Sequence, residues 1–85
     1  MSAAQTYAIL DIIRKRRLEL NYSQEYLAAK LGIGQKTYSR LELGYIRLTV
    51  ERFLQLAELT GLNPSELLRV GSAITPPGRT VPEPR

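Results

Sequence analysis

The stretch best suited to chemistry is residues 35–43, QKTYSRLEL, in which polar side chains share one side of a predicted helix. These side chains are Gln35, Lys36, Ser39 and Arg40, with Leu43 beside them. Groups of these types form two-pronged or adaptable hydrogen bonds with base edges and phosphates in a DNA major groove. Taken alone, the pattern is better explained as the solvent-facing side of an ordinary helix. A DNA-binding interpretation therefore depends on the elements that surround this helix.

The opposite side of this helix is predicted to pack against the rest of the chain. At about 100° per residue, the side chains placed there are Thr37, Tyr38, Leu41 and Glu42. The helix is expected to begin near Gly34 or Gln35. It should stop at Gly44, because glycine adopts the left-handed conformation that commonly follows a helix.

A second short helix precedes this one. Ser23 is a good N-cap, because its hydroxyl can accept from the unpaired backbone N–H groups of the first turn. Leu27, Ala28 and Leu31 then recur at helical spacing, and Gly32 ends the helix. Two short helices joined by a glycine-bearing turn form the outline of a helix-turn-helix.

The chain from about Ile9 to Leu68 resembles the helix-turn-helix domain of the lambda repressor and Cro family of DNA-binding regulators. That family has an arginine in its first helix, then SQEELA, a glycine turn, an ISRIERG-like helix and two further helices. The matching positions here are Arg17, 23–28 (SQEYLA), 31–33 (LGI), 38–44 (YSRLELG), 56–57 and 67–68. The resemblance implies an all-α fold, a compact five-helix bundle in which residues 35–43 form the recognition helix.

The resemblance also implies roles for residues outside the polar face. Gln24, at the start of the second helix, is expected to hold a backbone phosphate and to brace the first residue of the recognition helix. Helix N-termini in general favour anions, which agrees with a phosphate contact at this position. Arg17 is expected to form a partly buried ion pair with Glu42 that ties the first helix to the recognition helix. The predicted DNA-binding residues are Ser23, Gln24, Gln35, Lys36, Thr37, Ser39, Arg40, Tyr45 and Arg47. Base-edge contacts are assigned to Gln35, Lys36 and Arg40, and phosphate contacts in the following loop to Tyr45 and Arg47.

Two positions depart from the family pattern. Gly34 replaces the usual serine or threonine cap, and it supplies no side-chain acceptor to the first turn. Tyr38 occupies a position that is usually aliphatic, and we interpret it as a core aromatic whose hydroxyl reaches the surface.

Composition narrows the function further. The 85 residues permit one small domain, which dimerisation would stabilise. Without cysteine or histidine, the chain lacks the commonest metal ligands and general bases, so we expect no catalytic residue, no metal, no cofactor and no enzyme activity. A net charge of +4 and a pI near 9.8 suit a polyanionic partner. No stretch approaches the roughly 18 apolar residues of a membrane span, so a cytoplasmic location is expected.

The remaining helices are predicted from their caps. The first runs from Ala3 or Ala4 to Leu20, and the fourth follows the Thr49 cap and ends at Gly61. Residues 63–66, NPSE, give the fifth an N-cap, a proline at the first position and a glutamate at the third.

The end of the chain leaves alternatives open. Leu67 and Leu68 either divide between the core and a dimer contact, or both complete the core. Residues 1–71 are predicted to form the DNA-binding domain and residues 72–85 a disordered, Pro-rich tail. Ile74 and Val81 leave open a docking role for the tail against another protein or a sister subunit.

Together these observations favour a small transcriptional regulator, most simply a repressor, that binds double-stranded DNA as a homodimer on a two-fold operator. Two alternatives share the fold. One is the DNA-binding antitoxin of a toxin–antitoxin pair, whose tail or fifth helix would contact the toxin. The other is a protein-interaction module in which residues 35–40 meet an acidic protein surface.

Overall fold

The computed structural model describes residues 2–73, and their regular structure is entirely helical. The helices are α1 (Ala3–Glu19), α2 (Gln24–Leu31), α3 (Gln35–Leu43), α4 (Val50–Thr60) and α5 (Pro64–Ala73). The predicted all-α fold with five helices is therefore confirmed. No helix within residues 2–73 is both long and apolar enough to cross a membrane.

Side-chain caps determine where four of the helices begin. The capping residues of α1, α2, α4 and α5 are Ser2, Ser23, Thr49 and Asn63, and each accepts from a backbone N–H three residues on. Helix α3 differs, because its N-cap is Gly34 and no side chain caps it. The recognition helix predicted from the sequence therefore starts with its first backbone N–H groups uncapped by a side chain.

Glycines end the two helices of the motif in the left-handed conformation. Gly32 (φ 73°) follows α2 and Gly44 (φ 84°) follows α3, each returning its N–H to carbonyls of the last turn. Residues other than glycine seldom adopt these angles, so the glycine at each position determines where the chain reverses.

One hydrophobic core joins all five helices. Its buried members are Ile9, Ile13, Leu27, Ala28, Leu31, Tyr38, Leu41, Phe53, Leu56, Ala57 and Leu67. Helix α1 packs against α3, α4 and α5, whereas α2 packs against α3 and α4. The first helix therefore supports α3, α4 and α5 directly.

Arginines secure the ends of two helices from neighbouring elements. The Arg16 Nε donates to the Thr60 carbonyl oxygen at 3.1 Å, at the end of α4. The Arg52 Nη1 donates to the Leu31 carbonyl oxygen at 3.3 Å, at the end of α2. Cationic donors at helix C-termini satisfy carbonyls that lack a partner within the helix and complement the helix dipole.

Helix α5 runs to Ala73, so the predicted domain boundary after Gly71 falls inside a helix. Leu67 is buried and Leu68 is 44% exposed, which contradicts the alternative in which both leucines complete the core. Predictions about the tail from Ile74 onward, including docking through Val81, lie outside the described residues.

Candidate nucleic-acid interface

The turn between α2 and α3 sets the relation of the two helices. Residues 32–34 form it, and the Ile33 N–H donates to the Ala28 carbonyl oxygen at 2.9 Å. The side chain of Ile33, which lies between Gly32 and Gly34 in the sequence, packs against the core. A hydrogen-bonded turn with an apolar anchor holds α3 at a defined position relative to α2.

Helix α3 divides into a buried and an exposed side. Tyr38, Leu41 and Glu42 are buried, and Ser39 is half-buried. The exposed residues are Gln35, Lys36, Thr37, Arg40 and Leu43. The prediction that Thr37 packs is wrong, because a surface depression of about 460 Å³ between α3 and the start of α4 leaves it uncovered.

A buried ion pair fastens α3 to α1. The Arg17 Nε lies 2.9 Å from Glu42 Oε2, and its Nη2 lies 3.1 Å from Oε1, so the two groups meet in a two-pronged arrangement. The exposed fractions of the Arg17 and Glu42 side chains are 9% and 2%. Arg17 also donates from Nη1 to the Tyr22 carbonyl oxygen at 2.8 Å, which links the pair to the start of the motif.

Two further donors complete the environment of the Glu42 carboxylate. The Tyr38 Oη donates to Oε2 at 2.8 Å, and the Gln24 Nε2 donates to Oε1 at 3.0 Å. Our expectation that the Tyr38 hydroxyl reaches the surface is therefore wrong, since the side chain is buried and its hydroxyl ends on Glu42. The i, i+4 spacing of Tyr38 and Glu42 on one side of a helix is the sequence signal that could have found this contact.

The pKa values of these groups follow from the contacts. Burial by itself raises the pKa of Glu42, but hydrogen bonds from Arg17, Gln24 and Tyr38 and the Arg17 charge outweigh it and lower the pKa below its usual range. Burial, with the hydrogen bond to Glu42, raises the pKa of Tyr38. The hydrogen bond to Glu42 raises that of Arg17. At neutral pH the site holds a carboxylate, a guanidinium and a neutral phenol.

The hydrogen-bond chain extends from the core to the surface of α3. The Gln35 Nε2 donates to the Gln24 Oε1 at 3.3 Å, and Gln24 in turn donates to Glu42. The first residue of α3 is thereby held by the first residue of α2 through their side chains. The other predicted contact at this edge, Ser23, is exposed, and its hydroxyl oxygen accepts from the Tyr26 N–H at 3.0 Å.

The exposed surface of α3 is positively charged. Its only acidic residue, Glu42, is buried and paired, so the charged groups facing solvent are Lys36 and Arg40. Among the residues that the structure describes, no acidic side chain forms an ion pair with either. These cations are therefore available to an anionic partner.

The loop after α3 adds a second exposed segment. Tyr45 is 77% exposed, and Arg47 is also exposed beside a depression of about 500 Å³ that extends to the start of α1. The Tyr7 ring of α1 lies against Gly44, where a Cβ would stand 2.4 Å from Tyr7 Cε1. Sequence reasoning did not place Tyr7 beside this loop. Ile46, an apolar residue of the same loop, is 40% exposed.

The arrangement supports binding through hydrogen bonds and charge. No group of three or more acidic side chains within residues 2–73 is placed to hold a metal ion. The predicted residues of α2, α3 and the loop instead present amides, hydroxyls and cations to solvent. Such groups match phosphates and base edges.

Comparison with known proteins agrees with this architecture. The helix-turn-helix family matches residues 13–67, which covers the motif and most of its supporting helices. The HTH-type transcriptional regulator AnsR of Bacillus subtilis (strain 168) is 39% identical over 59 residues, which are 69% of this chain and 51% of AnsR. The chain thus spans about half the length of that relative. No solved structure matches significantly. The chain therefore belongs to the helix-turn-helix family, in its lambda repressor and Cro-like form.

Proposed function

We propose that this protein is a transcriptional regulator that binds double-stranded DNA in a sequence-specific manner, most simply as a repressor. The observation that carries the proposal is the exposed, positively charged side of α3 on a helix whose other side is anchored by the buried Arg17–Glu42 pair. A rigidly held helix with amide and cationic side chains suits the major groove. The regulator AnsR, similar over 59 residues, supports the same class of function.

In this proposal each element has a separate task. Helix α3 enters the major groove, where Gln35, Lys36 and Arg40 contact base edges. Helix α2 crosses the backbone. The proposed phosphate contacts are Ser23, Gln24, Thr37, Ser39, Tyr45 and Arg47. Phosphate contacts set the register of the protein on the duplex, whereas contacts to bases supply specificity.

We further propose that the protein binds as a homodimer. An apolar depression of about 350 Å³ separates the starts of α4 and α5, and three large apolar side chains around it are exposed. They are Val50 (74%), Leu54 (48%) and Leu68 (44%). A cluster of this kind is typical of an interaction surface, and a two-fold contact would use the same residues on both subunits.

The Leu68→Glu substitution is expected to weaken this dimer by at least about 2 kcal/mol, roughly thirtyfold, because it buries an unpaired carboxylate. Sedimentation equilibrium measures the change in association. The fold of the subunit should persist, since Leu68 is half exposed. A matched control is Leu18→Glu, because Leu18 is 51% exposed on α1 and does not border the depression. Equal association of both variants and the wild type would contradict the proposed interface.

The function is tested by selecting bound sequences from random double-stranded DNA with the wild-type protein. We expect an inverted repeat whose half-sites lie about one helical turn, roughly 34 Å, apart. On the selected site, log affinity should fall with log salt concentration at a slope of about −2, because the charged phosphate contact, Arg47, neutralises one phosphate in each subunit of the dimer. Failure to enrich any sequence would overturn the DNA-binding proposal and favour a protein partner for α3.

A further inference from the structure

The first two turns of α1 precede the segment that the helix-turn-helix family matches, which begins at residue 13. One of their side chains nevertheless reaches the loop after α3. The Tyr7 ring lies so close to Gly44 that a Cβ on this glycine would stand 2.4 Å from Tyr7 Cε1 and 3.6 Å from Cζ. Because Cζ carries the hydroxyl, the polar end of Tyr7 lies beside the loop that is proposed to follow the DNA backbone.

The contact with Gly44 fixes the position of the Tyr7 ring relative to α3. Gly44 ends α3 with φ 84°, and its N–H donates to the Leu41 carbonyl oxygen at 3.0 Å. Helix α3 is itself attached to α1 by the buried Arg17–Glu42 pair. The ring therefore packs on a backbone segment that is anchored on both sides, and the absence of a side chain at Gly44 permits the close approach.

The hydroxyl of Tyr7 is available to a partner from outside. Tyr7 is 57% exposed, and its Oη forms no hydrogen bond with any residue in the range 2–73. Tyr38 differs, because its hydroxyl donates to the buried Glu42 carboxylate. A phenol hydroxyl has one hydrogen to donate, so Tyr7 can bind an oxygen acceptor beside the loop.

The surroundings of Tyr7 suit an anionic acceptor. The depression of about 500 Å³ that Tyr7 borders has one cation in its lining, Arg47, and no acidic side chain. Arg47 forms no ion pair within the part of the chain that the structure describes. The backbone N–H groups of residues 46–48 likewise donate to no acceptor in that part. Guanidinium, hydroxyl and backbone N–H groups are the donors that bind phosphate oxygens.

We propose that the Tyr7 hydroxyl binds a backbone phosphate of the DNA together with Arg47, so that the start of α1 belongs to the DNA-binding surface. This inference rests on the proposed function. Arg47 supplies the charge from the loop, and Tyr7 supplies a second donor from the helix against which α3, α4 and α5 pack. The contact reads no base, so it contributes affinity and register for every sequence.

The Tyr7→Phe substitution tests the contact, because it removes one oxygen atom and keeps the ring against Gly44. Affinity for the selected duplex is measured at fixed salt. We expect it to fall by at least about tenfold, since each subunit of the dimer loses a hydrogen bond to a charged oxygen. The base preference at every position should stay within about twofold. The slope of log affinity against log salt should not change, because a hydroxyl carries no charge.

A matched control is Tyr26→Phe. Tyr26 is 41% exposed on α2 and does not border the depression. This variant loses the same atom at a different place, so its affinity should stay within about twofold of the wild type. An equal loss of affinity in both variants would overturn the assignment to Tyr7.

A second measurement locates the phosphate. Methylphosphonate linkages, in which a methyl group replaces one charged oxygen, are placed at one position at a time in both half-sites of the selected duplex. At the phosphate that Tyr7 contacts, the wild type and Tyr7→Phe should bind with equal affinity. The wild type and Arg47→Ala should converge at the same or the adjacent phosphate. If Tyr7→Phe remains weaker by the same factor at every position, the loss does not act through a phosphate and the inference is wrong.

The outcomes separate this inference from the proposed function. Equal affinity of Tyr7→Phe and the wild type for the selected duplex would overturn the contact and leave the proposed function standing. If the wild type binds no duplex, the proposed function fails and the phosphate contact fails with it.

Discussion

The Glu42→Ala substitution is expected to lower the free energy of unfolding by about 3–5 kcal/mol, because it leaves the Arg17 guanidinium buried without its carboxylate. In a domain of this size the melting temperature should fall by more than about 10 °C. Thermal unfolding followed by circular dichroism measures it. DNA affinity should fall in the same variant, since α3 loses its attachment to α1. An unchanged melting curve would contradict the structural role of the pair.

A matched control is Asp11→Ala, which breaks two ion pairs on the surface of α1, one with Arg14 and one with Lys15. The Lys15 Nζ lies 3.1 Å from Asp11 Oδ2, and both side chains are largely exposed. Pairs of this kind contribute about 1 kcal/mol or less, because solvent screens them and holding two mobile side chains costs entropy. The contrast between the two variants separates the effect of burial from that of charge removal.

The contribution of Glu42 should also depend on pH. The contacts lower the pKa of Glu42 in the folded protein below its ordinary value of 4.5, so the folded state binds this proton less readily than the unfolded state. The stability that the ionised form contributes is fully present above that ordinary value. It is lost as the pH falls through the lower pKa of the folded state. The difference in melting temperature between wild type and Glu42→Gln should therefore be constant from about pH 7 to 5 and should narrow below about pH 4.5.

The Gln35→Ala/Arg40→Ala double substitution is expected to abolish sequence preference while leaving the fold intact. If both side chains contact bases, discrimination should fall by about 2–6 kcal/mol, at least roughly thirtyfold, because each good two-pronged contact contributes about 1–3 kcal/mol. Both side chains are exposed, so the free energy of unfolding should change by no more than about 1 kcal/mol. Competition between the selected site and a scrambled duplex at fixed salt measures the discrimination.

The control for lost charge is Arg69→Ala. Arg69 is an exposed arginine on α5, which does not pack against α3. Removing it should lower affinity for the selected and the scrambled duplex by similar factors, so discrimination persists. If the double variant retains the wild-type preference, base recognition by α3 is wrong and the specific contacts lie elsewhere.

The positions of the helices followed from local signals. Ser23, Thr49 and Asn63 were recognised as caps because their side chains act within three residues of their own position. Gly32 and Gly44 were recognised as helix ends because a left-handed conformation depends on the residue itself. The family pattern, spread over the same positions, added the order and packing of the helices.

The surface of α3 was predicted less completely. A helical wheel gives the direction of each side chain around the helix axis, but it does not show whether a neighbouring element buries that side chain. Thr37 lies on the side expected to pack, yet no neighbouring element covers it at the depression beside α4. The sequence likewise left open whether Leu67 and Leu68 are both buried, because adjacent residues on a helix can both lie at the edge of its apolar side. In the fold, contact with the core buries one and leaves the other beside the apolar depression.

By itself, the sequence determined the five helices, the side-chain caps of α2, α4 and α5 and the glycine turns, and its resemblance to a known family implied the pairing of an α1 arginine with the glutamate near the end of α3. The tertiary structure alone decided that the Tyr38 hydroxyl ends on Glu42 and that Gln24, which was expected to brace Gln35, also donates to this carboxylate. The physical reason is the separation along the chain of the groups that interact. Caps and turns depend on atoms within a few residues, whereas a saturated carboxylate needs donors from three helices brought within about 3 Å of one point, which only the packed core can do.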